Sequence, residues 1–399
     1  MNFGFWLFRR ACVVLVIFAA AGCASLPRTP FTVKQQVIAQ IPGIPGARIW
    51  ADAAADDFTN VFRIEELQAA ARKNGSLDLL AISGGAFDGA FGAGVLTGLT
   101  VHGRRPEFTF VSGVSAGALI APLAFLGPRY DQKLANAWTS GIAEPLGEGG
   151  VLSILFSQDS RRLALYDLVS SFVDEEMLKE IAVEHRRGRR LVVVTTNLDA
   201  QRPVLWDMGA IAASGHPNAL KLFRNVLTAS SSVPGAFAPS LIEVEADGQQ
   251  FAELHVDGGA TTQLFTIPEA ILARGPLKAR RDAMPARFFI IVNNRLQPEF
   301  EVVKGSTVPM MARSFSSLIK THSRLTLVAT REFARNRNID FNLTYIGDDF
   351  PTTPKPSFET PYMRAVYRYG HDNAASGNIW QKQIPFLAAP GVIAVKSLR

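Results

Sequence analysis

The sequence predicts an α/β sandwich built around a largely parallel sheet, and three observations carry that expectation. Short, mostly apolar runs recur at Leu77 to Ile82, Phe108 to Ser112, Leu191 to Thr196 and Phe288 to Val292, the pattern of strands buried on both faces. Helix-length stretches lie between and after them, and strands alternating with helices fit parallel crossovers. Glycine-rich turns follow the first two runs directly, where a strand folds over into its helix.

Along the chain, the first element is a leader. Arg9 and Arg10 precede an apolar run from Ala11 to Ala21, far short of the roughly 20 residues that cross a bilayer. A basic start, a short apolar stretch and the small residues Ala20, Ala21 and Gly22 match a secretory signal over residues 1–22. Ala20-Ala21-Gly22-Cys23 resembles a bacterial lipoprotein cleavage box. The other reading is ordinary secretion with Cys23 incidental. The only two cysteines are Cys12, inside the leader, and Cys23, so the mature chain keeps one thiol and has no internal disulfide. Lipidation at Cys23 accounts for that leftover thiol. Ala24 follows it, which by resemblance favours anchoring in the outer membrane, facing the periplasm. Residues 23–46, with Pro27, Pro30, Pro42 and Pro45, read as a lipidated N-terminus and proline-rich tether. A single catalytic domain is expected over 47–399.

An amphipathic helix is expected from Asp56 to Lys73. After the Leu77 to Ile82 strand come a glycine-rich turn and a helix to about Leu99. Phe108 to Ser112 leads through a sharp turn into a helix ending near Gly127-Pro128. Further helices are expected at Asp174 to His185, Pro309 to Ala334 and Pro361 to Tyr369. The formal charge of +6 falls to +4 without Arg9 and Arg10, a modest excess. The densest basic run, Arg186-Arg187-Gly188-Arg189-Arg190, reads as a solvated helix end beside the negative pole of the helix dipole, with anionic lipid as an alternative contact. Nucleic acid is not expected, because no aromatic residues interleave with the cations. No metal site is expected, because the histidines are scattered and only one thiol remains.

Three motifs carry chemistry. Gly113-Val114-Ser115-Ala116-Gly117 fits G-x-S-x-G, in which a serine on a tight strand-to-helix turn needs glycines two residues to either side. Ser83-Gly84-Gly85-Ala86-Phe87-Asp88-Gly89 follows the first strand, where paired glycines let backbone N–H groups face an oxyanion; a tight turn with close helix packing explains the same residues. A phosphate loop is excluded, since no Gly-Lys-Ser/Thr follows and Thr97 stands where a dinucleotide fingerprint needs glycine. Leu254-His255-Val256-Asp257-Gly258-Gly259 reads as a strand end with an acid at the lip of a turn, or as an ordinary Asp-Gly turn.

Together and in this order, the three motifs resemble the patatin-like phospholipase family. Thr195-Thr196-Asn197-Leu198-Asp199 and Ala229-Ser230-Ser231-Ser232-Val233-Pro234 through Phe237 and Pro239 are similar to that family's other stretches. The resemblance runs from about Leu77 to Gly370. It implies a three-layer α/β/α sandwich and a Ser–Asp dyad without histidine or cofactor, acting on phospholipid or lysophospholipid esters. Ser115 would be the nucleophile, Asp257 the base, and the N–H groups around Gly84, Gly85 and Ala86 the oxyanion hole. Gly113 and Gly117 would shape the elbow, Gly258 and Gly259 the acid turn. Burial should raise the Asp257 pKa toward that of a useful base. Two positions depart from the family: Ala86 replaces a third glycine, and Asp88 stands where arginine or lysine is usual, leaving the hole less positive.

Other readings stay open. His322 and His371 both follow Asp257 and would complete a Ser–Asp–His order, although both look like surface or capping residues. His255 shares a strand face with Asp257 and either shapes the site or packs beside it. Tyr130 to Ser160 reads as a lid, an acyl-chain entrance or a surface insertion. A lipoprotein of this fold that binds lipid or serves envelope assembly without turnover is the alternative outside enzymes.

Overall fold

The computed structural model describes residues 27–147, 158–273, 284–351 and 357–387. The strands are β1 (Arg48–Trp50), β2 (Leu77–Ile82), β3 (Phe110–Val114), β4 (Arg190–Asn197), β5 (Arg202–Asp207), β6 (Ser240–Ala246), β7 (Gln249–Asp257), β8 (Ala286–Val292) and β9 (Asp340–Tyr345). They form one sheet in the order β1-β5-β4-β3-β2-β8-β9, with β7 pairing to β4 and β6 to β7. The pairs β4-β3, β3-β2, β2-β8 and β8-β9 are parallel, while β5, β1 and the β6-β7 hairpin join antiparallel. This is a three-layer α/β/α sandwich around a mostly parallel sheet.

Alternation along each central strand feeds two cores. Leu80, Ile82, Val111, Leu191, Val193, Phe289 and Ile291 face one helical layer. Phe288, Ile290, Val292, Phe341 and Leu343 face helix Thr307–Asn336, and Phe110, Val192 and Val194 face the helices at 55–74. The first layer includes helix Ala116–Leu126, every residue of which is buried, and helix Gly89–His102. The latter lies so close to helix Thr360–Ala375 that a Cβ at Gly94 would strike the Tyr367 carbonyl, and one at Gly98 the His371 carbonyl. The glycines after the first strand therefore do serve close helix packing.

Several expectations need correction. The helix expected from Asp56 to Lys73 is two, Ala55–Val61 and Ile64–Asn74, because Arg63 adopts a left-handed φ of 46° between them. β3 runs two residues further than expected, up to the residue before Ser115. Residues 27–46 are not a free tether. Helix Val33–Ile38 carries a Thr32 capping box, Gln40 and Glu245 exchange backbone hydrogen bonds, and Ala39, Ile41 and Ile44 are buried. The Pro-Gly turns fold those apolar side chains back onto the body.

The basic run is not a solvated helix end either. Arg189 and Arg190 are buried. Arg189 donates to the carbonyls of Phe108 and Phe125 and to Glu184. Arg190 donates to the carbonyls of Phe62, His185 and Arg189 and to Glu66. Both guanidinium groups satisfy backbone carbonyls and a carboxylate, which offsets the cost of holding them inside. Among the described residues no helix is long and apolar enough to cross a membrane. Cys23 lies outside the described residues.

Candidate active site

The carboxyl ends of the parallel strands meet at one edge of the sheet, where α/β folds build their sites. β2 delivers the Gly84 to Ala86 loop, β3 delivers Ser115, and β8 leads into Asn293. β7 runs antiparallel to β4 with Asp257 opposite Thr195, so its last residue reaches the same edge.

Ser115 occupies the elbow with φ 54° and ψ −125°, a backbone region disfavoured for a residue with a Cβ. The strain is imposed from all sides. A Cβ at Gly113 would strike the Gly117 carbonyl, and one at Gly117 the Ile82 carbonyl. The Ser115 N–H donates to Ser230 Oγ at 3.0 Å, and Ser230 Oγ donates to the Val194 carbonyl at 2.6 Å. Ser231 Oγ donates to the Ser115 carbonyl at 3.1 Å. Ser115 Oγ donates to Asp257 Oδ2 at 2.6 Å. Ser115 is 5% exposed and Asp257 3%.

Asp257 is held from the other side. Its N–H donates to the Ser232 carbonyl at 2.9 Å, and its Oδ1 accepts the Gly259 N–H at 2.6 Å. Gly258 fits because a side chain there would strike the Val194 carbonyl. Burial pushes the Asp257 pKa up to about 7, against the smaller opposing effect of hydrogen bonds from Ser115 and Gly259. The burial expected from the sequence is present.

The glycine loop needs one correction. The Gly84 N–H donates to the Gln263 carbonyl at 3.1 Å, so it is engaged within the fold and turned away from an oxyanion. Among the described residues, no acceptor meets the N–H of Gly85 or of Ala86. Ala86 reaches this geometry with φ 49°, the left-handed conformation that a third glycine would adopt at no steric cost. The loop is clamped by β8: Asn293 Nδ2 donates to the Ser83 carbonyl at 2.8 Å, Asn293 Oδ1 accepts the Gly92 N–H at 2.9 Å, and Asn294 Nδ2 donates to the Gly84 carbonyl at 3.0 Å.

Asp88 does not oppose the hole as a full anion. It accepts a 2.6 Å hydrogen bond from Tyr362, and desolvation pushes its pKa to about 7, helped by Glu299 and opposed by Tyr362 and Arg295.

The histidines stand apart. Among the described residues, none hydrogen-bonds to Ser115 or Asp257. His322 lies on an exposed face of helix Thr307–Asn336, and His371 pairs with its neighbour Asp372. His255 is wholly buried, bound to Thr195 Oγ1 and Glu253 at 2.9 and 3.1 Å. Glu253 in turn pairs with buried Arg48. His255 therefore packs beside the site within a polar ladder, and burial lowers its pKa.

An apolar cavity of about 210 Å³ opens at Ser115, walled by Leu119, Trp138, Leu165, Leu168, Phe172 and Phe237 among others. Within the stretch 130–160, Trp138, Ala143 and Leu146 line that wall; residues 148–157 lie outside the described residues. The residues that sequence reasoning missed are the clamps. Asn293-Asn294 did carry a signal, two amides directly after the apolar run Phe288 to Val292, whereas the roles of Ser230 to Ser232 had none beyond resemblance.

Residues 80–269 match the family model of patatin-like phospholipases. Among solved structures, VipD from Legionella pneumophila is similar at 12% identity, over 76% of this chain and 67% of its own, with a TM-score of 0.34. No curated protein sequence matches.

Proposed function

Because residues 80–269 place the chain in the patatin-like phospholipase family, we propose that it hydrolyses acyl esters of phospholipids or lysophospholipids with Ser115 as nucleophile and Asp257 as base. One observation carries this reading: a serine on a strained elbow donates 2.6 Å to a buried carboxylate at the mouth of an apolar cavity.

The acyl chain lies in the cavity and the ester carbonyl at Ser115. As Ser115 Oγ attacks the carbonyl carbon, Asp257 takes its proton; a base with a pKa near 7 is matched to neutral pH. The negative charge that develops on the carbonyl oxygen is met by the N–H groups of Gly85 and Ala86, at the N-terminal end of helix Ala116–Leu126. Asp257 returns the proton to the leaving alcohol as the tetrahedral species collapses to an acyl-serine. Water, deprotonated by Asp257, then releases the fatty acid and restores Ser115. No histidine is needed, since the carboxylate contacts the serine directly.

A lipid anchor on Cys23 at the outer membrane belongs to the same proposal. Radiolabelled palmitate should enter the parent chain and not Cys23→Ser. For the chemistry, purified chain and Ser115→Ala are compared on a short-chain p-nitrophenyl ester and on a phospholipid. Activity in the parent that disappears in the variant supports Ser115. Activity that survives removes it, and well-folded protein inert on every ester favours the binding lipoprotein.

A further inference from the structure

Helix Thr307–Asn336 is longer than its structural task requires. It connects β8 to β9, parallel neighbours of seven and six residues. A strand of that length spans about 23 Å. The helix has 30 residues, about 45 Å at 1.5 Å each. Its C-terminal part does the packing: Ser323, Leu327, Thr330 and Ala334 are buried. From Thr307 to His322 no described side chain is buried. The surplus turns therefore project past the edge where β8 ends, which is the edge that carries Ser115 and the Gly85-Ala86 loop. Glu299, at the base of this projection, pairs with Lys320 and Arg295 and lies close enough to Asp88 to raise its pKa.

The projection is apolar on its outside. Among the described residues, six of fifteen exposed large hydrophobic side chains fall between positions 300 and 325: Phe300, Val302, Met310, Met311, Leu318 and Leu325. Met311, Leu318 and Leu325 are spaced seven apart, so they share one helical face, and each is about two-thirds exposed while Phe300 is 94% exposed. Such a run exceeds the scatter of single exposed hydrophobes on a soluble surface. The charges fit one kind of partner. Between Thr307 and Arg331 the helix carries Arg313, Lys320, Arg324 and Arg331 and no carboxylate. Among the described residues, Lys304 and Arg324 have no ion-pair partner. Met311, Leu318 and Leu325 form one face, and Arg313, Lys320 and Arg324 lie on the opposite side, where Glu301 pairs with Arg313; an apolar face backed by a basic, Ser/Thr-rich one is the make-up of a helix that lies in a lipid interface.

We propose that residues 300–325 are a membrane-docking element that seats its apolar face in an anionic phospholipid surface and so holds the Ser115 edge against the bilayer. The proposal rests on the lipid-hydrolase reading for its purpose, but docking is measurable without turnover. Charge favours an anionic lipid surface as the partner, since residues 300–325 carry Lys304, Arg313, Lys320 and Arg324 against the single carboxylate of Glu301.

The test places an environment-sensitive fluorophore at Leu318→Cys in the full chain carrying Cys12→Ser, Cys23→Ser and Ser115→Ala. A control carries the label at Val101→Cys, which is 69% exposed at the end of helix Gly89–His102, near the opposite edge of the sheet. With phosphatidylethanolamine–phosphatidylglycerol vesicles, the 318 label should shift to the blue and be quenched by bilayer-buried nitroxide lipids, while the 101 label stays unchanged. The shift should weaken on pure phosphatidylcholine. A 318 label that stays in water, or that shifts without vesicles as protein concentration rises, overturns the proposal. In the active chain, combined Phe300→Ser, Met311→Ser, Leu318→Ser and Leu325→Ser should cut vesicle hydrolysis at least tenfold and leave short-chain ester turnover unchanged; unchanged vesicle hydrolysis also overturns it. If that variant misfolds, the label decides. Docking in a chain that hydrolyses no ester overturns the hydrolase reading alone.

Discussion

Asp257→Asn should remove activity and at the same time stabilise the fold, by an amount that grows with pH. The carboxyl has an ordinary value of 3.8 and a folded value of about 7, raised by burial with no charged group contributing. The folded state therefore binds this proton more tightly than the unfolded chain. Stability from the group is fully present below about pH 4 and is lost as pH rises through about 7. The shift corresponds to about 4 kcal/mol at pH 8 and under about 2 kcal/mol at pH 5, as an upper bound. Asparagine fits the site, since its carbonyl can accept from the Gly259 N–H as Asp257 Oδ1 does, yet it carries no charge to desolvate. For a chain of this length, those values become a rise in Tm of up to about 5 °C at pH 8 and about 2 °C at pH 5. Calorimetry of parent and variant at both pH values measures the difference, in which the other titrating groups cancel. Ester turnover by the variant should fall about 10²- to 10⁴-fold. A gain in Tm that is absent at pH 8, or larger at pH 5, refutes the view that Asp257 is a desolvated anion.

The same pKa predicts that kcat/KM of the parent falls about tenfold per pH unit below about 7, as a pH–rate profile on a soluble ester would record. Asn293→Ala removes the clamp on Ser83 and Gly92; kcat should drop at least about tenfold with little change in KM, and stability by about 1–3 kcal/mol. Arg190→Met should cost about 3–5 kcal/mol in urea unfolding by leaving Glu66 and three carbonyls without their donor, whereas Arg187→Met, at an exposed position, should stay within about 0.5 kcal/mol. Phe172→Ala enlarges the cavity and should shift preference toward longer p-nitrophenyl esters, by about fourfold per added methylene accommodated.

Sequence reading reached the features that the local pattern encodes. Strands buried on both faces announce themselves as apolar runs, and the elbow needs its glycines at fixed spacing, so β2, β4, β8 and Ser115 were legible. β5, with Arg202 and Pro203 in its first residues, and the hairpin strand β6, which alternates Glu243 and Glu245 with Val244, gave weaker signals. The basic run misleads because its residue types suggest exposure, while the positions of Arg189 and Arg190 are set by carbonyls of distant segments. The same blindness hid the fate of the Gly84 N–H: its acceptor, Gln263, lies 179 residues away in the chain. Composition also misdirects at the tether: its prolines suggest a free linker, while Ile41 and Ile44 bury against the body.

The family match ends at residue 269, yet the site does not. Asn293 and Asn294 hold the loop that presents Gly85 and Ala86, and Tyr362 binds Asp88 within the same loop. The need for these supports arises from the two departures at that loop. Ala86 sits at φ 49°, a conformation costing about 1–2 kcal/mol for a residue with a Cβ, so neighbours must fix what glycine would adopt freely. Asp88 would repel an oxyanion if fully ionised. The Tyr362 hydroxyl supplies it a donor, while desolvation keeps it near half-protonated at neutral pH. β2 itself lies between β3 and β8, so a chain ending at residue 269 would expose one edge of the strand that carries the loop. On the proposed mechanism the site thus extends through helix Thr360–Ala375: the matched region carries the candidate nucleophile Ser115 and base Asp257, and the segment from β8 to that helix holds the loop of Gly85 and Ala86.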